Sequence, residues 1–266
     1  LRETQEELVK KEQLAVVGEL AAVVAHEVRN PLAVIANAVA GLRKASLSRE
    51  DHITLLGILE DESSRLNRLV SDLLRYARPV SVQRSRIALD DLLERALRFA
   101  RATPTVSVQK ASDMSDSHVY GDASLLRQVF DNLVDNAVQA MPHGGSLSIQ
   151  IRATREEGVE GVSVLVGDTG EGMDTIVRAR AKDPFFTTRP SGTGLGLAIV
   201  DRIVEAHAGH LLIQSRAGEG TTVTVFLPHG RPSDVPEETP ERTAPKDSVT
   251  QSKTVVAQNP KKQEVS

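Results

Sequence analysis

Residues 26–32 read His-Glu-Val-Arg-Asn-Pro-Leu, and this is the most informative segment of the chain. An imidazole can act as a nucleophile when a nearby carboxylate takes its proton and a polar group steers the incoming electrophile. His26 is followed at once by Glu27, and Asn30 lies about one helical turn on. A lone histidine on a helix is more often an ordinary surface or core residue, so the segment gains its weight from its company. Three further blocks follow in order: Asn132-Leu133-Val134-Asp135-Asn136-Ala137, Asp168-Thr169-Gly170-Glu171-Gly172 and Gly192-Thr193-Gly194-Leu195-Gly196-Leu197.

Each block carries a chemical reading and a plainer one. Glycines let backbone amides approach a phosphate, and the helix that Gly196-Leu197-Ala198-Ile199 would open adds partial positive charge at its start. The same glycines also fit an unliganded turn. They are not the dinucleotide fingerprint, because Leu197 stands where its third glycine would be. Asp168 ends an apolar, strand-like run at 162–166. A carboxylate there can accept a hydrogen bond from an adenine amino group, although Asp-x-Gly is also a common turn former. Asn132 and Asn136 share a helical face, with Asp135 beside them. An amide oxygen on a rigid helix suits magnesium, which takes hard oxygen ligands and keeps water and substrate phosphates. Paired asparagines are otherwise usual on solvent faces.

These groups need elements to hold them. Residues 1–45 read as one long helix, with Val17, Leu20, Val24, Val28, Ile35, Val39 and Leu42 on one stripe. His26 falls on the opposite side, exposed among Ala22, Arg29 and Ala33, and Pro31 should kink the helix beyond it. A polar connection at 46–51 leads to a second helix at 52–77, whose apolar face is Leu55, Leu56, Leu59, Leu66, Leu69, Val70, Leu73 and Leu74. One hairpin cannot bury two such stripes, so two hairpins should pair into a four-helix bundle, making a homodimer. Arg78-Pro79 stops the second helix.

The chain then divides into a linker at 80–86, an α+β domain at 87–230 and a disordered tail at 231–266, following the hairpin at 1–79. In the α+β domain, helices are expected at 89–101, 122–141 and 193–208, and strands near 105–110, 117–120, 146–153, 161–167, 210–215 and 221–227. The pattern predicts an α+β sandwich, a mixed sheet with helices on one face. Five of the 12 prolines fall in the tail, which has no aromatic residue.

Composition narrows the function. Of 266 residues, 40% are hydrophobic but only 3% aromatic, with no Trp, so the cores rest on Leu, Val, Ile and Ala. Few aromatics and a net charge of −4 argue against nucleic acid and against an anionic membrane surface as partners. The lack of cysteine removes disulfides and thiolate metal sites. No apolar run approaches the roughly 20 residues of a membrane helix, and no signal-peptide pattern is present. The chain begins with Leu1 in mid-helix, and reads as part of a longer protein whose input module lies elsewhere.

Taken in order, the four blocks resemble the catalytic core of bacterial two-component sensor histidine kinases, across most of residues 8–228. The resemblance implies a phosphoacceptor hairpin followed by a Bergerat-type domain that binds ATP and Mg²⁺. It implies that His26 accepts the γ-phosphoryl group with Glu27 as general base. Asn30 then orients water for dephosphorylating the partner regulator. Asn132 and Asn136 match the N box, with Asn136 the magnesium ligand. Asp168 reads adenine, and Gly170 and Gly172 shape the pocket floor. Gly192, Thr193, Gly194, Leu195 and Gly196 hold the triphosphate. Pro184-Phe185-Phe186-Thr187-Thr188-Arg189 looks like the F box of a mobile lid, where Thr188 and Arg189 meet the nucleotide. Ala181-Lys182 stands where the family commonly has an apolar pair, and Arg178 replaces a usual aliphatic residue, so looser lid packing is expected. The implied partner is the aspartate of a response-regulator receiver domain, and the implied place is the bacterial cytoplasm, below an inner membrane that can anchor the parent protein. Two other readings remain open: an ATPase of the same nucleotide fold, and a signalling dimer with weak kinase activity.

Overall fold

A computed structural model of the chain describes residues 2–44, 47–114, 117–189 and 192–229. The expected tail at 231–266 lies outside the described residues. Helices α1 (Arg2–Leu42) and α2 (Arg49–Ala77) form an antiparallel hairpin. α1 runs through Pro31, which is buried. α2 begins three residues before the expected 52 because Ser48 caps it: its hydroxyl accepts the Asp51 N–H at 3.0 Å and donates to the Asp51 carboxylate at 2.7 Å. The hairpin buries little. Pro31, Ala38 and Leu69 are its buried residues among those described, while Leu32, Val34, Ile53, Leu56, Val70 and Leu74 stay exposed.

The second half is an α+β sandwich. Strand β1 (Ser85–Ala88) opens it, so Ser85 and Arg86 already pair in a sheet rather than serving as linker. Helix α3 (Leu89–Arg101) follows, then β2 (Val106–Ser112), β3 (His118–Gly121), α4 (Ala123–Gln139), β4 (Gly145–Glu156) and β5 (Val159–Asp168). A short α5 (Thr175–Arg180), α6 (Gly196–Ala206), β6 (His210–Arg216) and β7 (Gly220–Pro228) complete it. β1 pairs with β3 in a small antiparallel sheet. The main sheet has the order β2-β4-β5-β7-β6, parallel between β2 and β4 and antiparallel elsewhere, which makes it mixed as the sequence predicts.

One face of that sheet carries Leu147, Ile149, Ile151, Val162, Val164, Val166 and Val225, all buried. Helices α3, α4 and α6 cover it with Leu93, Leu97, Phe130, Leu133, Ile199 and Ile203. In α3, Leu89, Leu92, Leu93, Ala96, Leu97 and Ala100 recur at helical spacing, so periodicity alone predicts a helix over 89–101. α5 carries no such signal, because none of its residues is buried and only the Asp174 cap, 2.8 Å from the Val177 N–H, marks its start.

Candidate active site

The sandwich holds a cavity of about 630 Å³, within the range of small-molecule sites. Its back wall is α4. The buried stripe Leu126, Val129, Phe130, Leu133 and Ala137 faces the sheet, which turns Asn132, Asp135 and Asn136 into the cavity. The Asp122 carboxylate fixes the start of that helix by accepting the N–H groups of Ser124 at 2.9 Å and Leu125 at 3.1 Å. Burial would raise this carboxyl, but its hydrogen bonds, including one from the Gln83 N–H, hold it below its ordinary value.

Asp168 sits at the end of β5, on the cavity floor. Its Oδ1 accepts the Gly170 N–H at 2.9 Å. Burial raises the carboxyl above its ordinary value, against the pull of the Gly170 and Thr221 N–H groups and of Arg189. A half-buried carboxylate with one face open to a cavity can accept a hydrogen bond from a ligand amino group. Gly172 lies in the left-handed region at φ +62, and a Cβ there would come within 2.0 Å of the Arg216 carbonyl oxygen. Only glycine fits.

The glycine loop forms the opposite rim. Gly194, at φ +68, lies so close to Phe185 that a Cβ would meet its backbone at 2.4 Å. This irregular stretch delays α6 to Gly196, three residues after the expected 193. Leu195 is fully buried in the core and faces away from the cavity, and Gly170 packs on the Ala140 carbonyl instead of lining it. The other nucleotide-site residues expected from sequence do line it: Asn132, Asn136, Asp168 and Gly172, then Thr188, Arg189, Gly192, Thr193, Gly194 and Gly196.

The lid between them is tied down. Arg189 donates to the Asn136 carbonyl and to the Gln139 side chain, both at 3.2 Å. Lys182 bonds Asp201 of α6 at 2.7 Å, Ala181 is buried, and Arg180 stacks 4.2 Å from the Phe186 ring centre. The looser packing expected from Ala181-Lys182 is therefore offset, the lysine gaining an ion pair where an apolar residue would gain burial. Phe185 carries a left-handed φ of +64, a local strain held by its N–H bond to the Gly194 carbonyl at 3.0 Å.

His26, Glu27 and Asn30 are on α1, outside the cavity; His26 and Asn30 are exposed and Glu27 half-buried. The Arg65 guanidinium lies 3.9 Å from the Glu27 carboxylate, fixing which turn of α2 stands beside the histidine. Four polar cavity residues escape a sequence reading. Gln139 was within reach, one turn beyond Asn136 on the same helical face. Thr221 becomes visible only once β7 pairs with β5, opposite Asp168. Arg68 and Asp72 come from α2, and only the docking of the sandwich on the hairpin brings them in.

Comparison with known proteins accounts for this arrangement. Residues 16–81 match the His Kinase A (phospho-acceptor) domain, and residues 121–231 match the histidine kinase-, DNA gyrase B-, and HSP90-like ATPase family. The chain is 37% identical to the signal transduction histidine-protein kinase AtoS of Escherichia coli over 85% of its own length, and 36% identical to the sensor histidine kinase ZraS of the same species over 84%. It spans only 37% and 48% of those two relatives. Among solved structures, the histidine kinase ThkA in complex with the response regulator protein TrrA superposes on 86% of the chain and 67% of its own, with TM-score 0.69 and 26% identity. The full-length kinase ShkA in complex with AMPPNP covers 81% of this chain and 47% of its own, with TM-score 0.56 and 27% identity. A phosphoacceptor hairpin joined to an ATPase-type sandwich, matched over about 85% of the chain by sensor kinases, places this chain in the two-component sensor histidine kinases, as their catalytic core.

Proposed function

We propose that this core is an ATP-dependent protein-histidine kinase that phosphorylates His26 and passes the phosphoryl group to an aspartate of a response-regulator receiver. One observation carries the reading: a single cavity gathers an asparagine pair, a half-buried carboxylate, a glycine loop and Arg189, beside a hairpin that displays His26 and Glu27 together. Asp168 takes the adenine amino group, and the loop amides at Gly192, Gly194 and Gly196 take the phosphates. A ring nitrogen of His26 bonds to the γ-phosphorus as its bond to the bridging oxygen breaks. ADP leaves with that oxygen and its electron pair, and the imidazole proton passes to Glu27. Transfer to the receiver reverses the first half: the N–P bond breaks and a carboxylate oxygen takes the phosphorus. Asn30 orients the water that later hydrolyses that acyl phosphate. The ThkA complex with its regulator supports a partner of this class.

The residues present fit a magnesium ion. The Asn136 amide stands at the cavity wall opposite Gly196, about 4.0 Å from where a Cβ would lie. Among the described residues no three His, Cys, Asp or Glu side chains gather as a metal cage. One protein oxygen plus substrate phosphates is the usual magnesium arrangement. When bound, the ion neutralises charge on the phosphate oxygens.

The exposed apolar side chains of the hairpin, Leu32, Ile53, Leu56, Val70 and Leu74, support burial against a second copy in a four-helix bundle. No helix among the described residues is long and apolar enough to cross a membrane. We place the core in the cytoplasm, where ATP and receiver domains meet. The test is direct. Incubation with γ-labelled ATP and Mg²⁺ gives an acid-labile, alkali-stable phosphoprotein, and His26→Ala abolishes it while ATP still binds. Label that persists in His26→Ala rules this reading out, and ATP hydrolysis without any phosphoprotein points to a plain ATPase.

A further inference from the structure

The nucleotide cavity is not walled by the sandwich alone. Arg68 and Asp72 of α2 both reach it, and residues four apart share a helical face. Asp72 has two partners: its Oδ2 accepts the Thr193 hydroxyl at 2.7 Å, and Arg75 stands 3.6 Å from its Oδ1. Arg202 of α6 closes the same seam by donating to the Tyr76 carbonyl, with its guanidinium 4.8 Å from the Tyr76 ring centre. The glycine loop and α6 are thereby pinned to the base of α2.

Arg68 differs from these neighbours. It is exposed, it lines the cavity, and no described residue pairs with its guanidinium. A guanidinium offers five N–H donors in a planar fork that matches two oxygens of one phosphate. Its level on the hairpin matters as well. Arg65, which faces Glu27, is three residues earlier, so Arg68 lies about 4.5 Å along the axis from the turn that faces the phosphoacceptor. Along α2 the order is therefore acceptor level, unpaired cation, loop anchor.

We propose that Arg68 is a phosphate-contacting residue of the nucleotide site, supplied by the hairpin, which takes the terminal phosphate of ATP while the Asp72–Thr193 bond seats the loop. The proposal rests on the reading of this cavity as an ATP site and adds to it a residue from outside the nucleotide domain. A contact to the terminal phosphate separates ATP from ADP, which lacks that group.

The experiment compares the full chain and its Arg68→Ala and Arg68→Lys variants. Affinities for ATP, ADP and adenosine are measured with Mg²⁺, together with the labelling rate at saturating ATP. Arg68→Ala is expected to lower ATP affinity about tenfold relative to ADP, the size of one lost charge-assisted contact. Adenosine binding stays unchanged, which also reports that the pocket is folded. The labelling rate falls at saturating ATP, and Arg68→Lys recovers part of both losses. An unchanged ATP-to-ADP ratio with an unchanged rate overturns the proposal, as does an equal loss for ATP and ADP. Wild-type chain that binds no ATP overturns the cavity assignment itself, an outcome seen before any variant is made.

Discussion

The hairpin and the sandwich solve opposite problems with similar residues. The sandwich closes its own core: Leu147, Ile149, Phe130 and Leu195 are all but inaccessible, and two layers cover one another. The hairpin has Leu69 as the one buried leucine on its second helix, with Leu74 left 60% exposed. A pair of helices has too little facing surface to bury two stripes, which leaves the face that the proposed second copy would cover. The contrast separates the tasks. A domain with a complete core can grip the phosphoryl donor, and a stalk stabilised from outside can hold the acceptor exposed on a rigid helix.

The sharpest test of that division is Glu27→Gln. Loss of the proposed general base should slow labelling by about 10² to 10⁴-fold. ATP affinity, set by the residues that line the cavity, where Glu27 is absent, should not move. Single-turnover labelling with a separate binding titration reads both, and a matching loss of affinity would mean that Glu27 serves the pocket as well as the histidine.

Leu147→Ala attacks the other side of the comparison. Leu147 is wholly buried on the inner strand β4, so the truncation should cost about 2–5 kcal/mol in the sandwich. The hairpin dimer should survive in gel filtration while nucleotide binding is lost on mild heating. Concerted loss of both would show that the sandwich supports the bundle.

Asp168→Asn is a smaller, more local change. The amide puts a donor among partners that donate, the Gly170 and Thr221 N–H groups, and weakens the acceptance of an adenine amino group proposed for this carboxylate. Nucleotide affinity should fall about 10- to 100-fold. The dimer and the sandwich's thermal midpoint should stay close to wild type, a pair of outcomes that calorimetry and gel filtration separate from binding.

What is readable in the sequence follows the same divide. Elements with one buried face announce themselves through period, as in α3 and in the alternation Leu147, Ile149, Ile151 of β4. Elements held by caps or by pairing do not: β1 is four residues long and its first two fall in the expected linker, and α5 buries nothing. The cavity residues on single motifs, Asn132, Asn136, Asp168 and the glycine loop, are legible because a short stretch of chain carries each one. Arg68, Asp72 and Thr221 are not, since each enters the cavity through a contact between segments far apart in sequence. Leu195 and Gly170 mark the converse: a motif position can exist to pack the loop rather than to face the ligand.

The smallest effect concerns His207, a buried histidine that joins two of the elements behind the cavity. Its Nδ1 lies 2.7 Å from the Ile203 carbonyl oxygen and its Nε2 lies 3.0 Å from the Asp122 N–H. A carbonyl can only accept and an amide N–H can only donate, so Nδ1 carries the proton and Nε2 offers its lone pair. The ring is neutral in this arrangement, and burial above all pushes its pKa below the ordinary imidazole value of 6.5. The unfolded chain binds a proton that the folded chain refuses. Stability from this group is therefore full above pH 6.5 and drains away as the pH falls below it. A proton on Nε2 would also turn the Asp122 N–H, which leads into the cap of α4, from partner to repelled neighbour. Thermal stability of the sandwich should thus weaken as the pH falls below 6.5, and His207→Gln should flatten that slope even though it lowers the midpoint at neutral pH. The hairpin dimer should show no change in slope between the two chains. Equal slopes in wild type and variant would move the acid sensitivity elsewhere and leave His207 as packing alone.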